Sequence, residues 1–207
     1  MKAAAQPCFF SRQQLKKNGG RAIIKRNLFG IYRKEAPMDL KALVRNIPDF
    51  PKPGILFRDI TPLIGDADGF EELVNEMAEP LFEQEVDLVM GPEARGFIFG
   101  SALANTLHAG FVPARKPGKL PYETIGCQYG LEYGSDELQI HVDAIKPGSR
   151  VAIVDDLLAT GGTALACAKL VEKAGGTVVG FVFAIELTDL PGRETLKGYP
   201  VHTILQY

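Results

Sequence analysis

The residues best suited to chemistry lie in one unbroken stretch, Val151-Ala152-Ile153-Val154-Asp155-Asp156-Leu157-Leu158-Ala159-Thr160-Gly161-Gly162-Thr163. A continuous apolar run such as residues 151–154 predicts a parallel strand covered on both faces. It delivers Asp155 and Asp156 to the C-terminal edge of the strand, where open α/β sheets bind ligands. Ionised Asp only accepts hydrogen bonds and each hydroxyl donates one, so the pair suits the vicinal hydroxyls of a ribose. Beyond it, Ala159-Thr160-Gly161-Gly162-Thr163 opens a helix. Its glycines let the backbone approach closely, its N–H groups and dipole attract a dianion, and Thr160 and Thr163 add hydroxyl donors. Ribose at one end and phosphate at the other describe a ribose 5-phosphate group. No Gly-Lys-Ser/Thr follows the glycines, so this is not a Walker loop. The plain alternative, solvated acids beside an ordinary turn, explains each residue but not their order between a strand and a helix.

The elements that must hold this stretch can be read around it. Leu40, Leu43 and Val44 fit a short amphipathic helix that stops before Pro48. Residues 50–54 hold two prolines and form a loop. Asp68 is a candidate cap for a helix whose apolar face is Phe70, Leu73, Val74, Met77 and Leu81, with Pro80 disturbing its last turn. Residues 86–90 and 110–114 read as strands, with a loop at 91–95 and a helix over 96–107 between them. Residues 116–130, rich in Gly, Pro and polar side chains, predict a long mobile loop. Residues 138–142 alternate like a hairpin arm, residues 163–174 form a helix ended by Gly175-Gly176, and residues 178–185 form another strand. This alternation predicts an α/β protein with a mostly parallel twisted sheet and helices on both faces.

The acid pair and the loop after it are the signature of the type I phosphoribosyltransferases, which this chain resembles. Four further segments sharpen the resemblance to the adenine-using branch of that family: residues 50–59 (FPKPGILFRD), 93–97 (EARGF), 115–121 (RKPGKLP) and 131–134 (LEYG). It covers residues 38–207. The resemblance implies a small hood over a type I fold, and transfer of phosphoribose from 5-phosphoribosyl 1-pyrophosphate to adenine, releasing AMP and pyrophosphate, with Mg²⁺. It also implies roles. Glu93, Ala94, Arg95, Arg115, Lys116 and Lys119 are similar to pyrophosphate-site residues, and Arg115 has a counterpart that reaches a neighbouring subunit. For Arg115 and Lys116 a solvated loop charge is the alternative. Glu132 is similar to the base for the purine imidazole proton and, with Arg95 and Lys119, completes the catalytic set; Tyr133 covers the site. An exposed acid and a packed aromatic are the alternative for that pair. Leu56, Phe57 and Arg58 match the adenine side, Phe57 by stacking and its neighbours through main-chain groups; the Pro-rich loop before Phe57 argues against a regular strand there. Leu187 suits the opposite purine face. Residues 183–190 contain no Lys or Arg to serve a 6-oxopurine. Residues 119–130 are expected to close as the hood and exclude water from an oxocarbenium-like centre.

Composition narrows the alternatives. Apolar residues make up 46% of the 207 and charged ones 23%, which suits one globular domain and not a disordered chain. Nine basic residues and one acid lie in residues 1–37, which leaves 14 basic and 24 acidic residues, a net of −10, for residues 38–207. That acidic body excludes general nucleic-acid binding. The leader reads as a poorly ordered extension, with organelle targeting as the second reading. It lacks the periodicity for a helix-turn-helix module, which excludes a DNA-binding sensor built on the same fold. Cys8, Cys127 and Cys167 are odd in number and far apart, which fits a reducing compartment and a cytoplasmic protein. His108, His141 and His202 show no metal-ligand spacing. No apolar stretch is long enough to span a membrane, and a homodimer is expected from the family alone.

Overall fold

Asp39 accepts a hydrogen bond from the Lys41 N–H at 3.1 Å and starts one 3-10 turn, Leu40–Leu43, in the computed structural model, which describes residues 38–131 and 134–207. The helix expected up to Pro48 stops there. Proline disfavours the helical region for the residue before it, and strand β1 (Arg45–Pro48) instead pairs antiparallel with β2 (Leu56–Asp59). Phe57, expected outside a regular strand, lies within β2 opposite Ile47. Pro51 and Pro53 are confined to the connecting loop, where Asp49 accepts from the Gly54 N–H at 2.7 Å. The leader, residues 1–37, lies outside the described residues, as do Glu132 and Tyr133.

Helix α1 (Thr61–Gly65) leads into α2 (Ala67–Ala78). The cap of α2 is Asp66, not Asp68: Asp66 is extended and accepts from the Gly69 N–H at 2.8 Å. Asp68 already sits in the first turn, where an acid favours the helix dipole but cannot cap it. Pro80 falls in a separate 3-10 turn, Glu79–Leu81. Then come β3 (Leu88–Pro92), α3 (Gly96–Leu107), β4 (Gly110–Ala114), β5 (Thr124–Leu131), β6 (Gly134–His141), β7 (Arg150–Leu158), α4 (Gly162–Lys173), β8 (Thr177–Glu186), the short α5 (Gly192–Thr195) and β9 (Val201–Gln206). Five of these strands form one parallel sheet in the order β4-β3-β7-β8-β9.

Successive strand residues face opposite sides, and both sides are apolar. Val89, Ala152, Val154 and Val182 pack with Leu73 and Met77 of α2 and Phe99 and Leu103 of α3. Met90, Ile153, Phe181 and Phe183 pack on the other face with Cys167 and Leu170 of α4. Each large apolar side chain so buried contributes about 1.5–3 kcal/mol, and the two layers lock the middle strands in register.

The segment expected to be a mobile loop over residues 116–130 is ordered sheet in its second half. Only residues 116–123 are loop, whereas β5 pairs with β6 from Thr124↔His141 to Leu131↔Gly134. Ile125, Cys127 and Tyr129 point inward with Leu138 and Ile140 and pack against the α4 face of the sheet. Gly126 and Gln128 occupy the outward positions, which disguises a period-two strand as a Gly-rich connection. The hood is therefore a hairpin anchored by its own apolar face.

Candidate active site

β7 continues for four residues past the apolar run 151–154, so Asp155 and Asp156 are part of the strand and not of the loop after it. Consecutive strand residues point to opposite faces. Asp155 lies against the first residue of α3: a Cβ built on Gly96 would stand 3.0 Å from Asp155 Oδ1 and 2.8 Å from Pro92 Cδ, so only glycine leaves room for this carboxylate. Asp155 Oδ1 also accepts from the Asp156 N–H at 2.8 Å. Asp156 is buried and receives Arg95 Nε at 2.7 Å. Burial pushes the Asp155 carboxyl well above the usual carboxylate range, and the neighbouring Asp156 charge adds to the shift. Burial raises Asp156 as well, opposed by Arg95. Two buried carboxylates are thus held next to each other, with Arg95 as the cation that faces them.

The loop that follows turns sharply at Gly161, whose φ of +83° is the left-handed region, and Gly161 caps α4 with no side-chain hydrogen bond. The first N–H groups of such a helix have no intrahelical acceptor, so they point outward from residues 162–163. The loop is backed by α5. A Cβ at Gly161 would lie 3.0 Å from both the Gly192 carbonyl oxygen and Thr195 Cβ. Ala159, Thr160, Gly161, Gly162 and Thr163 are therefore a tight turn into α4, with a supporting helix that the sequence pattern does not reveal.

Arg95 joins the acid pair to a third region. Its guanidinium, bonded to Asp156, also lies 5.8 Å from the centre of the Phe57 ring on β2. The acid pair, Arg95 and the partly buried Phe57 thus meet at the C-terminal edge of the sheet, next to the glycine turn. The phosphoribosyl transferase domain family matches residues 64–201 of this chain. The adenine phosphoribosyltransferase of Clostridium perfringens is 60% identical over 170 residues, 82% of this chain and 99% of that one. The chain belongs to the adenine phosphoribosyltransferase family. The crystal structure of the family member from Thermoanaerobacter pseudethanolicus superposes with a TM-score of 0.80 at 53% identity, covering 82% of this chain and 98% of that chain. The Saccharomyces cerevisiae enzyme, complexed with an imino-altritol bisphosphate and adenine, gives a TM-score of 0.76 at 43% identity, covering 80% and 96%.

The remaining family positions fall into two groups. On one side, Glu93 accepts from Arg115 Nε and Nη2 at 3.1 and 3.0 Å and from the Lys116 N–H at 2.6 Å. Burial pushes its carboxyl up, but the Lys116 N–H and Arg115 outweigh this and hold it below the usual range. Arg115 Nη1 donates to the Lys119 carbonyl at 3.1 Å, so Arg115 is engaged within its own chain. Lys119 is exposed at a turn closed by its N–H on the Lys116 carbonyl at 3.3 Å. Lys116 Nζ pairs with Asp136 Oδ2 at 2.9 Å, and Tyr129, directly across the hairpin from Asp136, donates its hydroxyl to the same oxygen at 3.3 Å. The Tyr129 hydroxyl also meets the Thr163 side chain. This chain from Lys116 through Asp136 and Tyr129 to Thr163 was not legible before the hairpin register was known.

On the other side, Leu56 is half-exposed, Phe57 meets Phe50 edge-on at 5.2 Å, and Arg58 Nη1 donates to Asn46 Oδ1. Leu56 and Arg58 are two apart on β2 and so present their main-chain groups to the same edge. Leu187, just past β8, donates its N–H to the Leu158 carbonyl at 3.0 Å and packs partly into the core. Ala94 lies in the turn before Arg95 and contributes no side-chain polar group.

Proposed function

We infer that the cleft at this sheet edge transfers the 5-phosphoribosyl group of 5-phosphoribosyl 1-pyrophosphate to adenine, giving AMP and pyrophosphate. The observation that carries the reading is the position of Arg95, bonded to the ribose-type acid pair through Asp156 and lying over Phe57. Family membership supports the same reaction.

The residues divide the work. Asp155 and Asp156 accept hydrogen bonds from the two ribose hydroxyls. The loop 159–163 holds the 5-phosphate with main-chain N–H groups and the Thr160 and Thr163 hydroxyls. Arg95 and Lys119 face the pyrophosphate, with Lys116 as a further cation; Glu93 acts by holding Arg115 and the turn to Lys119. As the C1′–O bond breaks, its electron pair goes to pyrophosphate, and fixed cations stabilise that charge without reorganising. N9 of adenine closes on C1′ and loses its proton to a base, the role proposed for Glu132, with Tyr133 covering the reacting centre. Leu56, Phe57 and Arg58 hold the base from one side and Leu187 from the other.

Among the described residues no cluster of three or more Asp, Glu, His or Cys side chains forms a metal cage. Asp155 and Asp156 would be the carboxylates to help hold Mg²⁺ of the kind that rides on substrate phosphates and needs only one or two carboxylates. Such an ion, when bound, would neutralise charge on the pyrophosphate. We also propose a cytoplasmic homodimer without a nucleic-acid partner: the body carries net negative charge, and no described helix is long and apolar enough to cross a membrane. Light scattering of the purified chain tests the dimer.

Adenine offers an N6 donor beside an N1 acceptor, and a 6-oxopurine reverses both. Main-chain groups at Leu56 and Arg58 matched to adenine are left unpaired by hypoxanthine or guanine, which gives discrimination on the order of 10⁴. A panel of adenine, hypoxanthine and guanine with 5-phosphoribosyl 1-pyrophosphate and Mg²⁺ tests this. AMP alone is expected; IMP or GMP at comparable rates overturns the adenine assignment.

A further inference from the structure

Tyr207, which follows β9, is far in sequence from every residue given a role above, yet it touches both walls of the proposed base site. The Arg58 guanidinium lies 4.1 Å from the centre of its ring, and the Lys41 ammonium lies 5.1 Å from it. Its backbone is fixed on the other side: the Tyr207 N–H donates to the Glu186 carbonyl at 2.9 Å, and its carbonyl accepts from Thr188 N at 2.8 Å and Thr188 Oγ1 at 2.9 Å. Glu186 and Thr188 flank Leu187. Arg58 directly follows Phe57. The Tyr207 hydroxyl and Arg58 Nε are both buried with no hydrogen-bond partner among the described residues. The contact is therefore ring against guanidinium, with no polar bond from the hydroxyl to account for the tyrosine.

We propose that Tyr207 is a positioning residue for base recognition, tying β2 to the segment after β8 so that Phe57 and Leu187 stand a purine's thickness apart. This rests on the reading of those two segments as the adenine walls. The ring braces Arg58 from behind, so the main chain at Leu56 and Arg58 keeps its orientation when no base is bound. A wall held in place before binding lowers the cost of ordering it, and that saving appears as affinity for the base alone. Phosphoribosyl pyrophosphate is assigned to the acids of β7, the loop 159–163 and the turn at Lys119, whereas the hydrogen bonds and cation contacts of Tyr207 go to Lys41, Arg58, Glu186 and Thr188.

Steady-state kinetics on Tyr207→Leu, Tyr207→Phe and Arg58→Met test the proposal. Tyr207→Leu is expected to raise KM for adenine about tenfold, the scale of a desolvated cation–π contact, with KM for phosphoribosyl pyrophosphate and kcat within about twofold of the parent. Tyr207→Phe should recover most of that loss, because it keeps the ring. Arg58→Met reads the same contact from β2 without altering β9, and the double variant Arg58→Met/Tyr207→Leu should be no worse than the poorer single one. An unchanged adenine KM in Tyr207→Leu overturns the proposal. So does a parallel rise in both KM values with a fall in melting temperature, failure of Phe to restore affinity, or additive single effects. Phe57→Ala is measured alongside. If it too leaves adenine KM unchanged, the base-wall reading itself fails; if it raises KM while Tyr207→Leu does not, only the role of Tyr207 is lost.

Discussion

Two neighbouring strands end in acids that are equally buried and entirely different in state. Asp156 on β7 is 5% exposed and Glu186 on β8 is 4% exposed. Glu186 is saturated: Arg193 Nε and Nη2 reach it at 2.6 and 2.8 Å, Thr203 Oγ1 at 2.8 Å and Gln206 Nε2 at 3.2 Å. The Arg193 bonds lead the causes that hold its carboxyl below the usual range. Asp156 has one cationic partner, Arg95, and sits beside a second carboxylate, and burial lifts both acids above it. Depth does not separate the two sites. Their neighbours do. Glu186 is surrounded by donors, whereas Asp155 carries the charge of Asp156 on top of its burial.

The sharpest way to break that contrast is to neutralise the Asp155–Asp156 pair. Asp155→Asn/Asp156→Asn removes two charge-assisted acceptors and should lower kcat/KM roughly 10²–10⁴-fold. Stability should move the other way. Both folded-state carboxyls titrate above their ordinary value of 3.8, so the native protein loses stability as pH rises from there through the folded values. The double variant escapes that loss: it should melt higher than the parent at pH 8, and the gap should close towards pH 4. Equal melting temperatures at both pH values count against a strained pair. The phosphate end of the same site is probed by Thr163→Val, which removes one hydrogen bond with little change in volume. Affinity for AMP and for phosphoribosyl pyrophosphate should fall about tenfold to a hundredfold, and unchanged titrations dismiss the phosphate role.

Glu186→Gln tests the other half of the comparison. It should cost about 1–3 kcal/mol of stability, limited because the Arg193 side chain is half-exposed, and leave adenine KM close to the parent's. A large kinetic defect with normal melting would place Glu186 in the functional class after all. The smallest effect is expected at the leader: a chain starting at Met38 should match the full chain in rate and melting temperature, and loss of either contradicts its reading as a dispensable extension.

Much of the candidate site could be read from residue order. The run 151–163 names its own chemistry because strand, acids, glycines and helix are contiguous, and local geometry links them without help from the rest of the fold. Helix Gly96–Leu107 and strand Gly110–Ala114 were legible for the same reason, each having its apolar pattern and its stops within a few residues. The hood was not. Its outward Gly126 and Gln128 resemble loop residues until Leu138 and Ile140 show which face is buried. Asp66 displaced Asp68 as the cap because capping depends on the backbone angles of one residue, which composition leaves open.

The amino-acid sequence by itself determined the doubly covered parallel sheet, the acid pair with its anion loop, and the acidic charge of the body, since each depends on local spacing or on a sum. Only the tertiary structure decided which charged residues meet. Glu93 with Arg115, Lys116 with Asp136, Glu186 with Arg193 and Arg58 with Tyr207 are separated by between 7 and 149 positions, and are joined by strand register and helix packing. Register is set by the burial of whole faces, a property of all the strands together. The polar partners at the strand ends are therefore a consequence of the core, and no spacing rule within one segment encodes them.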